Sequence, residues 1–505
     1  MSNKEPALLY AAFLGPAGEN VPLLKELMSG ALDRYRNWRK SVYPDASLVP
    51  QSQDFREAQK EFIAHLKEQF GRFMDRLDRD NIPFGSARYA AQMLKDPGIP
   101  ALLAYWYTQM TNPNNHAYEG GPPTTEMEME VVEDLKRLVG FDTGWGHLTS
   151  GGTLANMEAL WAVRDTYSSG KNVFSSGSHY SWKRINSILR TDGFVEIGVD
   201  KQYRMDLNQL EDVLRKEKIS MVMANFGTTG IGAVDPIEDI LQLREKYGFH
   251  LHIDAAYGGY TRAVLLDESG KLLPKERVRF PLSDYVYRQA AVMARADSIT
   301  IDPHKHGLVA YGAGSVLYRD ERLRQVILNT APYTYHVTEK PNIGMFTLEG
   351  SRPGASAAAV WLTHRVIPLH HRGFGEIVGR SIQTAREVYR AFGDFQHLFP
   401  VCEPDLDLFC FYRGGAQVRS VAAINRATLE IYRNLSVEHV KWPPFILSKF
   451  IIDRGTAAKI LPEVRLDEDH LVTMRAVFLK HWLVLGEGTP YLKGFLDELK
   501  RFDTF

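Results

Sequence analysis

The feature that most constrains this chain is a series of short strands, apolar along their whole length and separated by helical segments. The runs are VFSS at 173–176, VEIGV at 195–199, MVMANF at 221–226, LHIDA at 251–255, SITID at 298–302 and SVLYR at 315–319. A strand with one wet face alternates polar and apolar residues, so strands without alternation are covered on both faces. Helical stretches at 207–216 and 236–247 fall between them. A helix near 126–139 stops at Gly140, and another continues from Gly151 and Gly152. Glycine just past a helical run is a common terminator because it enters the left-handed conformation at no steric cost. Strand and helix in this alternation predict an α/β fold built on a mostly parallel central sheet.

The flanks read differently. Residues 55–79 place Phe55, Phe62, Leu66, Phe70, Phe73 and Leu77 at helical spacing, a stripe that predicts packing against another surface. Residues 1–100 are therefore expected to form an N-terminal helical arm without chemistry of its own. Beyond about residue 372, helices near 376–392 and 467–482 flank strands at 408–412 and 445–452, which predicts a smaller α+β domain. A chain of 505 residues exceeds one simple core. The expected division is an arm at 1–100, a large α/β domain at 101–372 and a C-terminal domain at 373–505.

Charge and cysteine content narrow the function classes. Sixty basic residues against sixty-one acidic ones leave a formal charge of −1, so no global field draws in nucleic acid or an anionic membrane. No run approaches the ~20 apolar residues that span a bilayer. The two cysteines, Cys402 and Cys410, are too few for a disulfide framework. The apolar run at 7–14 is short for an export signal, and together these features predict a cytoplasmic protein. His250 and His252, and the adjacent His370 and His371, lack companion ligands, so no metal site is expected.

In a parallel α/β sheet functional groups gather at the carboxyl ends of the strands. Asp254 closes one apolar strand and is followed by small residues; its carboxylate faces a cleft or, equally, serves a cap or ion pair. Lys305 follows another strand beside His304. It suits Schiff-base chemistry if held in a cleft with a lowered pKa, though alone it reads more readily as a solvated lysine. Ser150-Gly151-Gly152-Thr153 precedes a helix and offers backbone N–H groups to an anion. His179 alone is as consistent with a structural histidine. Taken together they supply a phosphate cradle, a ring-facing histidine, a carboxylate for a ring nitrogen and an amine, which is what pyridoxal phosphate requires.

Five segments carry a family resemblance: TSGGTLANMEALW (149–161), HYSWKR (179–184), GTTGIGAVDPI (227–237), HIDAAYGG (252–259) and DSITIDPHK (297–305). They resemble the group II pyridoxal-phosphate-dependent amino-acid decarboxylases over roughly residues 80–380. Within that family, IPFGSARYAAQML (82–94), NPNNHAYEGGPPTTEMEMEV (112–131) and LEGSRPGASAAAVWLTHRVIPL (348–369) resemble the bacterial tyrosine decarboxylases. The resemblance implies the aspartate aminotransferase architecture (fold type I) and a homodimer with active sites at the interface. It implies that Lys305 carries the cofactor as a Schiff base, that Asp254 pairs with the pyridine nitrogen, and that His179 and Ala256 flank the ring. Gly152, Thr153 and His304 would bind the phosphate, with Ser351 from the partner subunit, and Thr229 would lie near the ring hydroxyl. Ser298 and Asp235 are candidates for a supporting layer. Asp302 departs from the asparagine common in aromatic-amino-acid enzymes; a carboxylate beside a phosphate needs a compensating donor, so it is not assigned a cofactor contact.

The implied reaction is decarboxylation of an L-amino acid to the amine and CO₂, with His179 holding the substrate carboxylate perpendicular to the ring. The proton donor is Tyr335 or, second, Tyr333. Should neither reach the site, an aldehyde-forming outcome follows. An aromatic substrate such as L-tyrosine is expected, with Phe84, Tyr105 and Trp106 as wall residues; the alternative is an acidic one, L-aspartate or L-glutamate, with Arg88 or Arg352 as the cationic partner. A transaminase and a non-catalytic cofactor-binding protein are the remaining alternatives.

Overall fold

The computed structural model describes residues 6–44, 52–167, 169–328, 340, 342–415, 418–486 and 490–504. Seven strands form the central sheet: Trp145–Thr149 (β1), Lys171–Ser175 (β2), Phe194–Ile197 (β3), Ile219–Asn225 (β4), His250–Asp254 (β5), Ser298–Ile301 (β6) and Gly314–Tyr318 (β7). Their order is β1-β7-β6-β5-β4-β2-β3. Neighbours from β6 to β3 run parallel, and β7 is antiparallel to both β1 and β6. Strands β5, β6 and β7 are buried along their entire length, which is why their sequences show no alternation.

Helices cover both faces. Gly140, in the left-handed conformation, closes the helix Pro122–Val139, where the sequence places the stop. Apolar residues of that helix (Val131, Leu135), of the sheet (Val222, Ile253, Ile299) and of the helix Phe374–Ala391 (Ile377, Val378) join one continuous core. β1 has no counterpart among the sequence expectations, because the glycines at 144 and 146 interrupt any apolar run. Gly144 is required there: its φ is +94°, and a Cβ would collide with the Tyr318 carbonyl oxygen.

A second sheet contains Leu398–Pro400 (β8), Leu408–Arg413 (β9), Ser448–Asp453 (β10) and His470–Val477 (β11), in the order β10-β11-β9-β8 and antiparallel throughout. The expectation of a helix over 467–482 is corrected here. Leu471 to Val477 lie buried between two antiparallel partners, and with Thr473 and Arg475 buried beside their apolar neighbours no strand-like alternation is left. Residues near the end of the expected 1–100 arm join this sheet: Tyr89 bridges to Ile446, and the Val477 N–H donates to the Ala90 carbonyl at 2.8 Å.

The amphipathic helix expected at 55–79 is present as Gln53–Asp80, yet none of its residues is buried. Phe62, Leu66, Phe70, Phe73 and Leu77 are 45–66% exposed. The surface their spacing calls for is not supplied by the described residues of this chain. No described helix is long and apolar enough to cross a membrane. Among the described residues no group of three or more His, Cys, Asp or Glu is placed to hold a metal ion.

An ion pair with a buried carboxylate ties the large sheet's connections to the small sheet. Arg204 reaches Asp405 through Nη2–Oδ1 (2.5 Å) and Nε–Oδ2 (3.1 Å), while Asp405 Oδ2 also accepts the Val234 N–H at 3.0 Å. The guanidinium lies 3.6 Å from the Tyr285 ring centre. Removing one partner of a buried pair strands the other charge, so Asp405→Ala is expected to lower stability by on the order of 3 kcal/mol. The check is the urea unfolding midpoint; an unchanged midpoint contradicts the linkage.

Candidate active site

The carboxyl ends of β2, β4, β5 and β6 open into one cavity of about 380 Å³. It brings together Gly152, Thr153, His179, Thr229, Asp254, Ala256, His304 and Lys305, from segments more than 150 residues apart. Three other candidates are not among them. Ser351 of this chain lies elsewhere, its Oγ accepting from Asn114 Nδ2 at 3.2 Å, and Tyr333 and Tyr335 fall outside the described residues.

Asp254 ends β5 and is 8% exposed. Its Oδ2 accepts from Asn156 Nδ2 at 2.8 Å and from Trp182 Nε1 at 3.2 Å. Oδ1 takes only a long bond, 3.3 Å, from the Ala256 N–H, which leaves it the freer acceptor. A buried carboxylate needs such donors to remain ionised. The sequence reading did not single out Asn156 or Trp182. Asn156 lies four residues after Gly152 on the helix Gly152–Thr166, one turn on and therefore on the same face; Trp182 sits inside the HYSWKR segment. Those positions are the signal by which both were findable.

At the mouth of that helix the backbone presents its N-terminal N–H groups to the cavity, and a helix N-terminus favours an anion. A Cβ on Gly152 would come within 2.9 Å of Asp302 Oδ2 and 3.2 Å of Ala256 Cβ, so any side chain there fills the cradle. Lys305 Nζ stands 3.0 Å from Asp302 Oδ2 and His304 Nε2 3.4 Å from the same oxygen. Asp302 thus lines the cavity, and the donors its carboxylate needs are the two residues next to the cradle. Asp302 Oδ1 and His304 Nδ1 are buried without a hydrogen-bond partner. Burial pushes the His304 imidazole below its ordinary range against the opposing charge of Asp302.

His179 is held by Ser181, whose N–H reaches Nδ1 at 3.3 Å and whose Oγ lies 2.7 Å from it. With Nδ1 accepting, the neutral ring carries its proton on Nε2. Burial lowers the His179 pKa, partly opposed by Asp254, which favours the neutral ring. Of the supporting candidates, Asp235 accepts the Asn225 N–H (2.6 Å), the Asn225 amide (2.7 Å) and the Met205 N–H (2.7 Å), and burial pushes its carboxyl up to about 6. It fixes Asn225, which lines the cavity. Ser298 lies behind the cavity between two histidines.

A flat cradle closed to side chains, a helix N-terminus, an amine and an ionised carboxylate fit pyridoxal phosphate. The comparisons agree. Residues 84–413 match the model of the pyridoxal-dependent decarboxylase conserved domain. The chain is 34% identical to an L-tyrosine decarboxylase of Levilactobacillus brevis over 466 residues, covering 75% of this chain and 74% of that protein. It is 28% identical to an L-aspartate decarboxylase of Thermococcus kodakarensis over 350 residues, 68% of this chain and 84% of that one. The crystal structure of Oryza sativa TDC with PLP and tryptamine superposes with a TM-score of 0.68 over 96% of this chain and 98% of that chain, at 15% identity, a likeness of fold. The chain belongs to the pyridoxal-dependent decarboxylase family, and it is a pyridoxal-phosphate-dependent amino-acid decarboxylase of fold type I.

Proposed function

We propose that this enzyme decarboxylates L-tyrosine or a closely related aromatic L-amino acid. The observation that carries the reading is the 34% identity, spread over three quarters of both chains, to an L-tyrosine decarboxylase, against 28% to an aspartate enzyme. The two arginines the sequence offers for an acidic substrate are engaged away from the cavity, although Lys449 and Arg475 line the one adjoining it. Arg352 is buried against Glu128 and the Leu148 carbonyl, and Arg88 Nη1 donates to the Pro444 carbonyl with its guanidinium over Phe445. Neither lines the cavity. Phe84, Tyr105 and Trp106 do not line it either; the aromatic surface comes from Tyr180 and from Tyr203 and Phe450. These three wall an adjoining cavity of about 650 Å³ that shares His179 and Thr229 with the first.

In this reading Lys305 holds the cofactor through Nζ, and Gly152, Thr153 and His304 hold its phosphate together with Ser351 of the partner subunit. Asp254 keeps a proton on the ring nitrogen, Thr229 lies at the ring hydroxyl, and His179 and Ala256 flank the ring. Bound pyridoxal phosphate supplies an electron sink for the pair left behind when CO₂ departs. His179 would hold the substrate carboxylate in the orientation that loss of CO₂ requires. Tyr335, with Tyr333 as second candidate, delivers a proton to Cα. The exposed stripe Phe62–Leu77 fits burial in a homodimer, since contiguous apolar surface of this kind marks an interface. The division into an arm (1–100), a large domain (101–372) and a small domain (373–505), and a cytoplasmic location, complete the reading.

Three outcomes are expected. With purified holoenzyme, kcat/KM for L-tyrosine should exceed that for L-aspartate and L-glutamate by about 100-fold or more, ~2.7 kcal/mol, with stoichiometric amine; preference for the acidic pair overturns the substrate reading. Tyr335→Phe should slow amine formation by about 10²-fold while Tyr333→Phe stays near wild type, and the reverse pattern moves the proton donor to Tyr333. The double substitution Phe62→Ser, Phe70→Ser should convert a dimer into a monomer by light scattering, and a dimer unaffected by it removes the stripe from the interface.

A further inference from the structure

Behind Asp254 a line of buried polar side chains runs back along β5 and β6, and the hydrogen-bonding roles along it follow one from the next. An ionised carboxylate only accepts, so Asn156 turns its amide Nδ2 to Asp254 Oδ2 (2.8 Å) and its Oδ1 away. That Oδ1 faces His252 Nε2 at 3.1 Å; a carbonyl oxygen only accepts, so His252 carries its proton on Nε2. Thr300 Oγ1 lies 3.3 Å from the same nitrogen. His252 Nδ1 is then an acceptor, and the Ser298 hydroxyl donates to it at 2.8 Å. With its hydrogen committed, Ser298 Oγ accepts from His250 Nε2–H at 2.8 Å. The line ends at His250 Nδ1, a buried acceptor with no hydrogen-bond partner.

We infer that His252, backed by Ser298 and His250, is a positioning residue for decarboxylation: it locks the Asn156 amide so that Asp254 meets a donor and never a carbonyl oxygen. The inference rests on the reading that Asp254 pairs with the cofactor ring nitrogen. A reversed amide would set Asn156 Oδ1 against Asp254 Oδ2, and two acceptors at hydrogen-bond distance repel. Asp254 would then lose its shorter hydrogen bond and be turned from its place at the ring nitrogen. His252 and Ser298 are fully buried, so no solvent relaxes the arrangement. Burial also keeps both imidazoles neutral, His252 down to about 3 and His250 to about 4. The charged groups around them are Asp254 beside His252, and Asp297, Asp320, Arg244 and Arg319 around His250. The polarity of the line is therefore the same across the physiological range.

The test compares variants of the full-length holoenzyme by the dissociation constant of pyridoxal phosphate, measured by equilibrium dialysis, and by kcat and KM for amine formation. His252→Phe keeps the ring shape but not the donor. It should weaken cofactor binding about tenfold, ~1.4 kcal/mol, and lower kcat by a similar factor with KM unchanged. His252→Gln, whose amide N–H can occupy the place of Nε2–H, should restore both to within about threefold of wild type. Ser298→Ala removes one link with little change of volume and should raise the dissociation constant about two- to threefold, which keeps the test open if the phenylalanine variant does not fold. An unchanged dissociation constant in His252→Phe or Ser298→Ala overturns the inference, and so does a glutamine variant as impaired as the phenylalanine one. Asp254→Asn separates the two levels: if it too leaves cofactor binding unchanged, the placement of Asp254 at the ring is wrong, whereas a loss there without one at His252 sinks only the positioning role.

Discussion

The structure depends on keeping one carboxylate ionised in a buried place. Taking an unpaired carboxylate out of water costs several kcal/mol, and Asp254 is 8% exposed at the end of a strand that is otherwise apolar. Two donors from different helices, Asn156 and Trp182, converge on its Oδ2, and the amide that supplies the shorter bond is itself oriented from behind by His252. The ion is thus stabilised by groups that have no freedom to turn, which is the condition for placing a fixed negative charge against a cofactor ring.

The rest of the site follows from the sheet. Parallel strands deliver their carboxyl ends to one edge, so residues as distant in sequence as Gly152 and Lys305 meet around one cavity. The same edge gives Asp302 its partners: Lys305 Nζ and His304 Nε2 stand within 3.4 Å of its carboxylate. The small sheet is tied to this arrangement through Arg204 and Asp405, and through Arg475, whose guanidinium donates to the carbonyls of Thr229 and Gly230 beside the cavity.

How much of this was legible in the sequence varies with the physical cause. Strands β2 and β4 to β7 were legible because burial removes alternation and leaves short apolar runs between helices, whereas β3 lies at the sheet edge with Phe194 and Glu196 exposed. Burial also hid β11, where Thr473 and Arg475 are buried together with their apolar neighbours and no strand-like alternation of polar and apolar residues is left. Asp254, Lys305 and the glycines at 151–152 stood out because charge or backbone freedom at a strand end or helix start is unusual. Asn156 and Trp182 act through contacts, and nothing in an asparagine or tryptophan by itself signals the partner it will meet; Ser298 was named only through the family resemblance. The apolar stripe from Phe62 to Leu77 was plain in the sequence, but its spacing carries no information on which molecule supplies the opposite surface.

The central claim is that this cavity holds pyridoxal phosphate through Lys305. The most direct measurement is borohydride reduction of the purified holoenzyme followed by peptide mass mapping, which fixes the cofactor irreversibly to the lysine that carries it. The account predicts one modified peptide, containing Lys305 and spanning the Asp302–His306 segment, and none from a Lys305→Ala variant. A phosphopyridoxyl group found on another lysine, or a holoenzyme whose Lys305 peptide stays unmodified, would contradict it.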